Sequence, residues 1–356
     1  MTVAAPRITD AVRVRVPLVR PFVTSSGTIT ERDAWIVRLE APDGRVGHGE
    51  AGLDPGADAA ARDRLAAAIR AAVDRGTFDP ERASTDPADA AVSAGLEGAA
   101  LDLGLVDLGS GPTASVAVNA TIGGGSAEAT VAAARAAVAA GFRCLKCKVG
   151  DEGSTAELVD RMKALRAAVG PTVVVRLDAN GAWDAATARH RLEGLAGLGV
   201  AYVEDPLVDT DPTALAALRH ATDVPIAADA AVSTLAEADA LLAADAVDVL
   251  VVKPARVGGP SAAVSIARAA LAAGVGVTVS TYLETGFGLA AAARIAAVLP
   301  DRGHAHGLAT ADLLRDDLLA DPWRPVDGRV RVPRGPLAVD PAAIDRWAVD
   351  RVGATW

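Results

Sequence analysis

The segment RCLKCKVG, residues 143–150, aims Lys146 and Lys148 at one face of an extended chain, because side chains two apart on a strand point the same way. Lysine is almost never fully buried without a partner, so a core-like strand carrying two of them calls for an explanation. The chain has 31 arginines but only four lysines, at 146, 148, 163 and 253. Arginine keeps its proton in proteins, whereas lysine can shift its pKa and act as a base. Lys163 falls in a helical stretch and reads as a solvated surface group; the other three fall in strand-like stretches. Three acids end the strand-like runs between the lysines: Asp178 in TVVVRLDAN, Glu204 in AYVEDP and Asp229 in PIAADA. Singly, DANG is a turn signal and EDP a cap for the next helix. Together they recur 26 and then 25 residues apart, one acid per strand–helix unit. Three converging carboxylates repel one another unless a cation neutralises them. All-oxygen donors suit Mg²⁺, with Mn²⁺ as a substitute. Neighbouring cations are expected to lower the pKa of a lysine among Lys146, Lys148 and Lys253 towards neutrality and make it a usable base. The chemistry implied is removal of a proton beside a metal-bound substrate carboxylate.

Those residues need a scaffold that brings successive strand ends to one rim. With 356 residues, the chain has room for about two domains or one barrel with additions. Residues 1–113 contain strand-like ITDAVRVRVPL, AWIVRLEAP and RVGHGEA, then two Ala-rich helical stretches at 58–75 and 87–108, as in an α+β domain. From about 115 the pattern becomes strand then helix, repeated seven or eight times in residues 114–320 and ending near HAHGLAT. That repeat predicts a β/α barrel with its active site at the carboxyl ends of the strands. A doubly wound open sheet competes, but no G-x-G-x-x-G follows an early strand. The tail, 321–356, contains DGRVRVP and is expected to return to the first domain.

A net charge of −10 with no basic run argues against a nucleic-acid partner. No apolar run is long enough for a bilayer, and MTVAAPRITD lacks the basic and apolar regions of a secretion signal, so the cytoplasm is the expected location. Cys144 and Cys147 form a C-x-x-C, but on a strand they point to opposite faces and no second pair completes a zinc site. Both are expected to be packing residues.

In its motifs the chain resembles the enolase superfamily, in the muconate-lactonizing subgroup. KCK resembles that family's K-x-K; DAN, VEDP and AAD resemble its metal-ligand strands; VVKPARVGG resembles the strand of its second lysine. The resemblance implies a modified (β/α)₇β barrel with an α+β capping domain and a tail returning to the cap. It also implies Lys148 as acid/base, Lys146 as its helper, Lys253 on the opposite side, and Asp178, Glu204 and Asp229 as ligands of Mg²⁺. Within the subgroup, RPFVTSSGTITERDAWIVRLE, STYLETGFGLAAAARIAAVLP and HGLAT look most like o-succinylbenzoate synthases. This implies a lid loop over the substrate and substrate contacts from Ser25, Ser26, Asn180, Thr281, Glu284 and Gly286. The implied activity is a Mg²⁺-dependent dehydration of a small carboxylate in menaquinone synthesis, with homo-oligomerisation left open. N-acylamino acid racemase and muconate cycloisomerase are the alternatives within the superfamily; a Schiff-base aldolase and a non-catalytic ligand-binding barrel lie outside this chemistry. One departure stands out. The family commonly continues its third ligand as Asp-Glu-Ser, whereas Ala230 and Ala231 follow Asp229 here, leaving a carboxylate missing beside the metal.

Overall fold

The computed structural model describes residues 5–24, 27–77, 86–109, 113–150, 153–300 and 303–353. It opens with a long antiparallel hairpin, β1 (Arg7–Thr24) and β2 (Gly27–Glu40), to which β3 (Val46–Ala51) adds. Alternation along β2 divides its side chains between two cores. Trp35, Val37 and Leu39 pack under α1 (Ala59–Arg75) and α2 (Pro87–Asp102), while Ile36 joins the barrel core with Val12, Val14 and Val16. Asp58 and Asp86 accept backbone N–H groups at the starts of the two helices. α2 is apolar nearly all round because it lies between the sheet and the barrel. It ends at Asp102 rather than 108, and Gly104, at φ 72°, turns the chain away. The close packing depends on small residues: a Cβ on Gly49 would lie 2.0 Å from the Gly95 carbonyl oxygen.

The repeat follows. β4 (Ser115–Ala117) leads to β5 (Ala120–Ile122) and α3 (Ala127–Ala139), then β6 (Cys144–Lys148) and α4 (Thr155–Val169). Next come β7 (Val174–Asp178), α5 (Ala185–Leu195), β8 (Val200–Glu204) and α6 (Pro212–Arg219). The last units are β9 (Ile226–Ala228), α7 (Leu235–Ala243), β10 (Val249–Val252), short α8 (Pro254–Val257), α9 (Pro260–Ala272), β11 (Gly276–Val279) and α10 (Gly286–Val298). Strands β5 to β11 form one parallel sheet in sequence order. Its ends are joined through residues 306 and 307, where Val118 bridges His306 and Ser280 bridges Gly307. HAHGLAT thus takes the eighth strand position. The architecture is a modified (β/α)₇β barrel carrying an α+β cap: the strand–helix repeat predicts the barrel, and the family resemblance implies its modified form and the cap.

The tail divides. β12 (Arg329–Arg331) pairs with β4 at the barrel, so DGRVRVP does not return to the capping sheet. After α11 (Pro341–Trp347), only β13 (Ala348–Gly353) does, alongside β1. A three-residue strand with exposed arginines on both sides of Val330 suits a barrel edge better than a sheet covered by two helices.

Outward residues of the barrel strands, among them Leu145, Cys147, Leu177, Val203, Leu250 and Val252, are buried beneath the helices. Each fully buried Leu or Val contributes about 1.5–3 kcal/mol. Cys144 and Cys147 are buried thiols not joined in a disulfide. No helix among the described residues is long and apolar enough to cross a membrane. Inside the barrel, Tyr202, Ala227, Val249 and Val251 form a small apolar cluster of their own, and the polar residues gather on the same inward faces nearer the carboxyl ends.

Candidate active site

Parallel register sets the rim. Lys148 is the partner of Asp178 across β6 and β7, and Asp178 of Glu204 across β7 and β8. Asp229 directly follows β9, and Lys253 directly follows β10. All are at carboxyl ends, and inward alternation turns them into one cavity of about 490 Å³. Its mouth is lined by Phe22 and Ile29 from the hairpin, Leu207 and Val208 from the barrel, and Leu283. Lower in the barrel, Arg176 donates to the Ala305 carbonyl at 2.6 Å and lies 4.9 Å from the Tyr202 ring centre.

The acids are buried and share the cations. Lys146 Nζ lies 2.6 Å from Glu204 Oε1 and 2.9 Å from Asp178 Oδ2. Lys148 Nζ lies 2.7 Å from the same Asp178 oxygen and 2.8 Å from Asn180 Oδ1. Across the cavity, Lys253 Nζ lies 2.5 Å from Asp229 Oδ2 and 4.7 Å from the Tyr282 ring centre. Arg256 lies 2.9 Å from Asp229 Oδ1 and also donates to Tyr282 Oη.

Charge is unevenly balanced among these groups. Burial works against ionisation of Asp178, but Lys146 and Lys148 outweigh it and hold the group at about 2. Burial pushes Glu204 up to about 7; Lys146 opposes this, and Asp178 and Asp229 add to it. Burial and then Asp229 push Asp205 up to about 6. The expectation of a lowered lysine pKa is not met at Lys146 or Lys253. Burial lowers both, but the carboxylates beside them outweigh it and the shift is upward. Their nearest neighbours are acids, not other cations, which is why the sign reverses.

Oxygens of Glu204, Asp205 and Asp229 lie within 4.8 Å of one another, with Asp178 next in register. These three buried carboxylates, two of them pushed towards neutrality, form an oxygen-only donor set that a hard divalent cation fits, with Asp178 beside the set.

The structure brings Lys146, Lys148, Asp178, Asn180, Glu204, Asp229, Lys253 and Thr281 to one cavity. Glu284 and Gly286 do not line it. Glu284 is buried and turned back, its carboxylate accepting the Tyr282 N–H, and the Gly286 N–H goes to Asp317 Oδ1 at 3.0 Å. Both belong to the start of α10, where backbone donors are satisfied inside the protein. Ser25 and Ser26 lie outside the described residues. The flanking chain is not an irregular loop but the end of the hairpin, with Phe22 opposite Ile29.

Three residues escaped the sequence reading. Asp205, taken with EDP as a cap for the next helix, instead accepts the N–H groups of Asp229 and Ala230 at 2.9 and 3.0 Å, while Asp211 caps α6. It thereby supplies, from the neighbouring strand, a carboxylate beside Asp229 where Ala230 has none. Its one visible signal is a second acid directly after Glu204 at a strand end. Arg256 and Tyr282 gave no signal, since their contacts with Asp229 and Lys253 are made between different barrel units.

A profile of the family described as "Enolase C-terminal domain-like" matches residues 129–337, from inside α3 to beyond β12. The chain belongs to this family. An o-succinylbenzoate synthase of Thermobifida fusca is 40% identical to this enolase-like chain over 238 residues, 64% of this chain and 73% of the relative. An L-Ala-D/L-Glu epimerase of Bacillus subtilis is 31% identical over 305 residues, 80% and 83% of the two chains. Among solved structures, muconate lactonizing enzyme from Pseudomonas fluorescens, complexed with muconolactone, superposes with a TM-score of 0.83 over 98% of this chain and 100% of its own. At 24% identity that likeness shows the fold.

Proposed function

We propose that the chain is a lyase that forms o-succinylbenzoate by dehydration, as in menaquinone synthesis, working with Mg²⁺ or, in its place, Mn²⁺. The carrying observation is a ring of buried carboxylates flanked by Lys148 on one side and Lys253 on the other, in a chain 40% identical to a synthase of that name. Asp178, Glu204 and Asp229 would hold the metal, with Asp205 beside them. When bound, the metal would supply Lewis-acid polarisation of a substrate carboxylate.

The chain's own residues divide the remaining work. Lys148, steadied by Asp178 and Asn180, takes the proton from the carbon beside the substrate carboxylate. The same nitrogen then returns that proton to the departing hydroxyl, so that one water leaves and the ring gains a double bond. Lys253, held between Asp229 and the face of Tyr282, stays a fixed cation opposite the negative charge that develops. Lys146 spans Asp178 and Glu204 and keeps their mutual repulsion in check. Phe22, Ile29 and Val208 give the mouth an apolar wall suited to a carbocyclic substrate. The decisive test is assay of purified protein with the hydrated precursor of o-succinylbenzoate, following loss of water spectroscopically with Mg²⁺ and with EDTA. Absence of Mg²⁺-dependent turnover would remove this reading.

A second reading is kept because two lysines face one another across the cavity, the arrangement needed to move a proton between the two faces of a carbon. On that reading the chain is a racemase or epimerase of acylated amino acids, and the Bacillus subtilis relative supports it.

A further inference from the structure

Two walls of the cavity belong to different parts of the fold. Asp54 and Pro55 follow β3 of the cap, and Thr281, Tyr282 and Leu283 precede α10 of the barrel. We infer that Arg32 and Glu50, which do not line the cavity, are positioning residues that lock these walls together and so set the substrate end of the site.

The link is continuous and buried. Arg32 Nε donates to Glu50 Oε1 at 2.9 Å, and its Nη1 donates to the Leu53 carbonyl at 2.7 Å, which fixes the chain just before Asp54. Glu50 Oε2 accepts the Thr285 N–H at 2.9 Å, the Thr285 hydroxyl at 2.7 Å and the Gly288 N–H at 3.3 Å. Both charged side chains are fully shielded from solvent. Glycine at 52 makes room for the guanidinium: a Cβ there would lie 2.0 Å from Arg32 Nη2.

The barrel wall needs such an anchor. α10 has no acid in its first turn, and its N-cap Thr285 makes no cap of its own; α3, α4, α5, α6 and α7 each carry a Ser, Thr or Asp cap. Two carboxylates from elsewhere satisfy the α10 amino terminus instead: Asp317 takes the Gly286 N–H, and the cap domain's Glu50 takes those of Thr285 and Gly288. Two residues upstream, Leu283 holds φ 67°, a left-handed conformation that a branched side chain adopts only when its surroundings impose it. Leu283 is also in the cavity wall. Glu50 therefore clamps the end of a strained turn that presents Tyr282 and Leu283 to the substrate.

Thr285→Val tests this with little risk to folding, since it removes one hydroxyl and keeps the backbone donor. Thr285→Ser is the rescue, and Glu50→Gln is the stronger variant. The first readout is amide hydrogen exchange of metal-free protein, which is independent of any substrate. Thr285→Val, a change in the barrel, is expected to speed exchange of residues 50–57 in the cap roughly tenfold, with residues 144–149 unaffected and Thr285→Ser near wild type. The second readout is steady-state kinetics, and this arm rests on the dehydratase reading. KM for the hydrated precursor is expected to rise about tenfold with kcat held within about threefold. Unchanged exchange at 50–57 would overturn the inference, as would a serine variant no better than valine, or a kcat loss with KM intact. A wild type with no turnover would instead overturn the dehydratase reading, and the exchange result would still decide the clamp.

Discussion

Lys148 and Asp178 are register partners on adjacent parallel strands, and the lysine nitrogen lies 2.7 Å from a carboxylate oxygen that Lys146 also contacts. One oxygen thus steadies two ammonium groups in unequal settings: Lys148 is 24% exposed and also held by Asn180, while Lys146 is 15% exposed and tied to two acids. Lys253, on the far side, is tied to Asp229 alone among the described acids within ion-pair distance. On the proposed function, this asymmetry would separate a proton carrier, Lys148, from a fixed charge, Lys253.

Lys148→Arg should therefore lose dehydration by about 10²–10⁴-fold, the usual worth of a general acid–base group. Lys253→Arg keeps the charge without exchanging a proton and should retain a measurable fraction. Rapid exchange of solvent deuterium at both faces of an N-succinylamino acid, with no turnover of the hydrated precursor, would turn the assignment into that of a racemase.

The metal reading predicts that Glu204→Gln abolishes or greatly weakens Mg²⁺ binding in a titration calorimeter, because the three closest carboxylate oxygens include that of Glu204. Asp205→Asn should weaken it less, since Asp205 would lie beside the proposed ligands and the amide oxygen can still accept one of the two N–H groups that the carboxylate receives from Asp229 and Ala230. Equal affinity in Glu204→Gln and wild type would mean the ion sits elsewhere.

The hairpin end supplies apolar cover to the mouth through Phe22 and Ile29. Phe22→Ala is expected to raise KM about tenfold and to change kcat much less, as loss of uniform apolar contact does. A fall in kcat at constant KM would show that the ring acts in the chemical step instead.

Glu284 makes stability depend on pH. Burial pushes it up to about 7 from 4.5; Arg32 opposes the shift and Glu50 adds to it. The folded protein thus holds a proton that the unfolded chain has released, so this group costs stability as pH rises from 4.5 to about 7 and costs no more above that. Glu284→Gln cannot ionise. Its urea midpoint, measured against wild type, should show a gain that grows from pH 5 to pH 8; a difference that does not change with pH would refute the assignment.

The sequence alone determined the barrel, the side of it that matters and most of the rim. Strand alternation is local, so Lys146 and Lys148 had to share a face; the β/α unit is periodic, so Asp178, Glu204 and Asp229 had to arrive at one end on successive strands. Only the tertiary structure decided how those groups are paired and what else joins them. Asp205 reaches the N–H groups of the next strand's loop, Arg256 crosses to Asp229, and β12 chooses the barrel edge over the capping sheet. Glu50 finds Thr285 at a separation of 235 residues, and Glu284 folds inward beside it rather than towards substrate. None of these partners is set by spacing along the chain. Each is chosen by which buried donor lacks an acceptor once two separate units have packed together, and that requirement exists only in three dimensions.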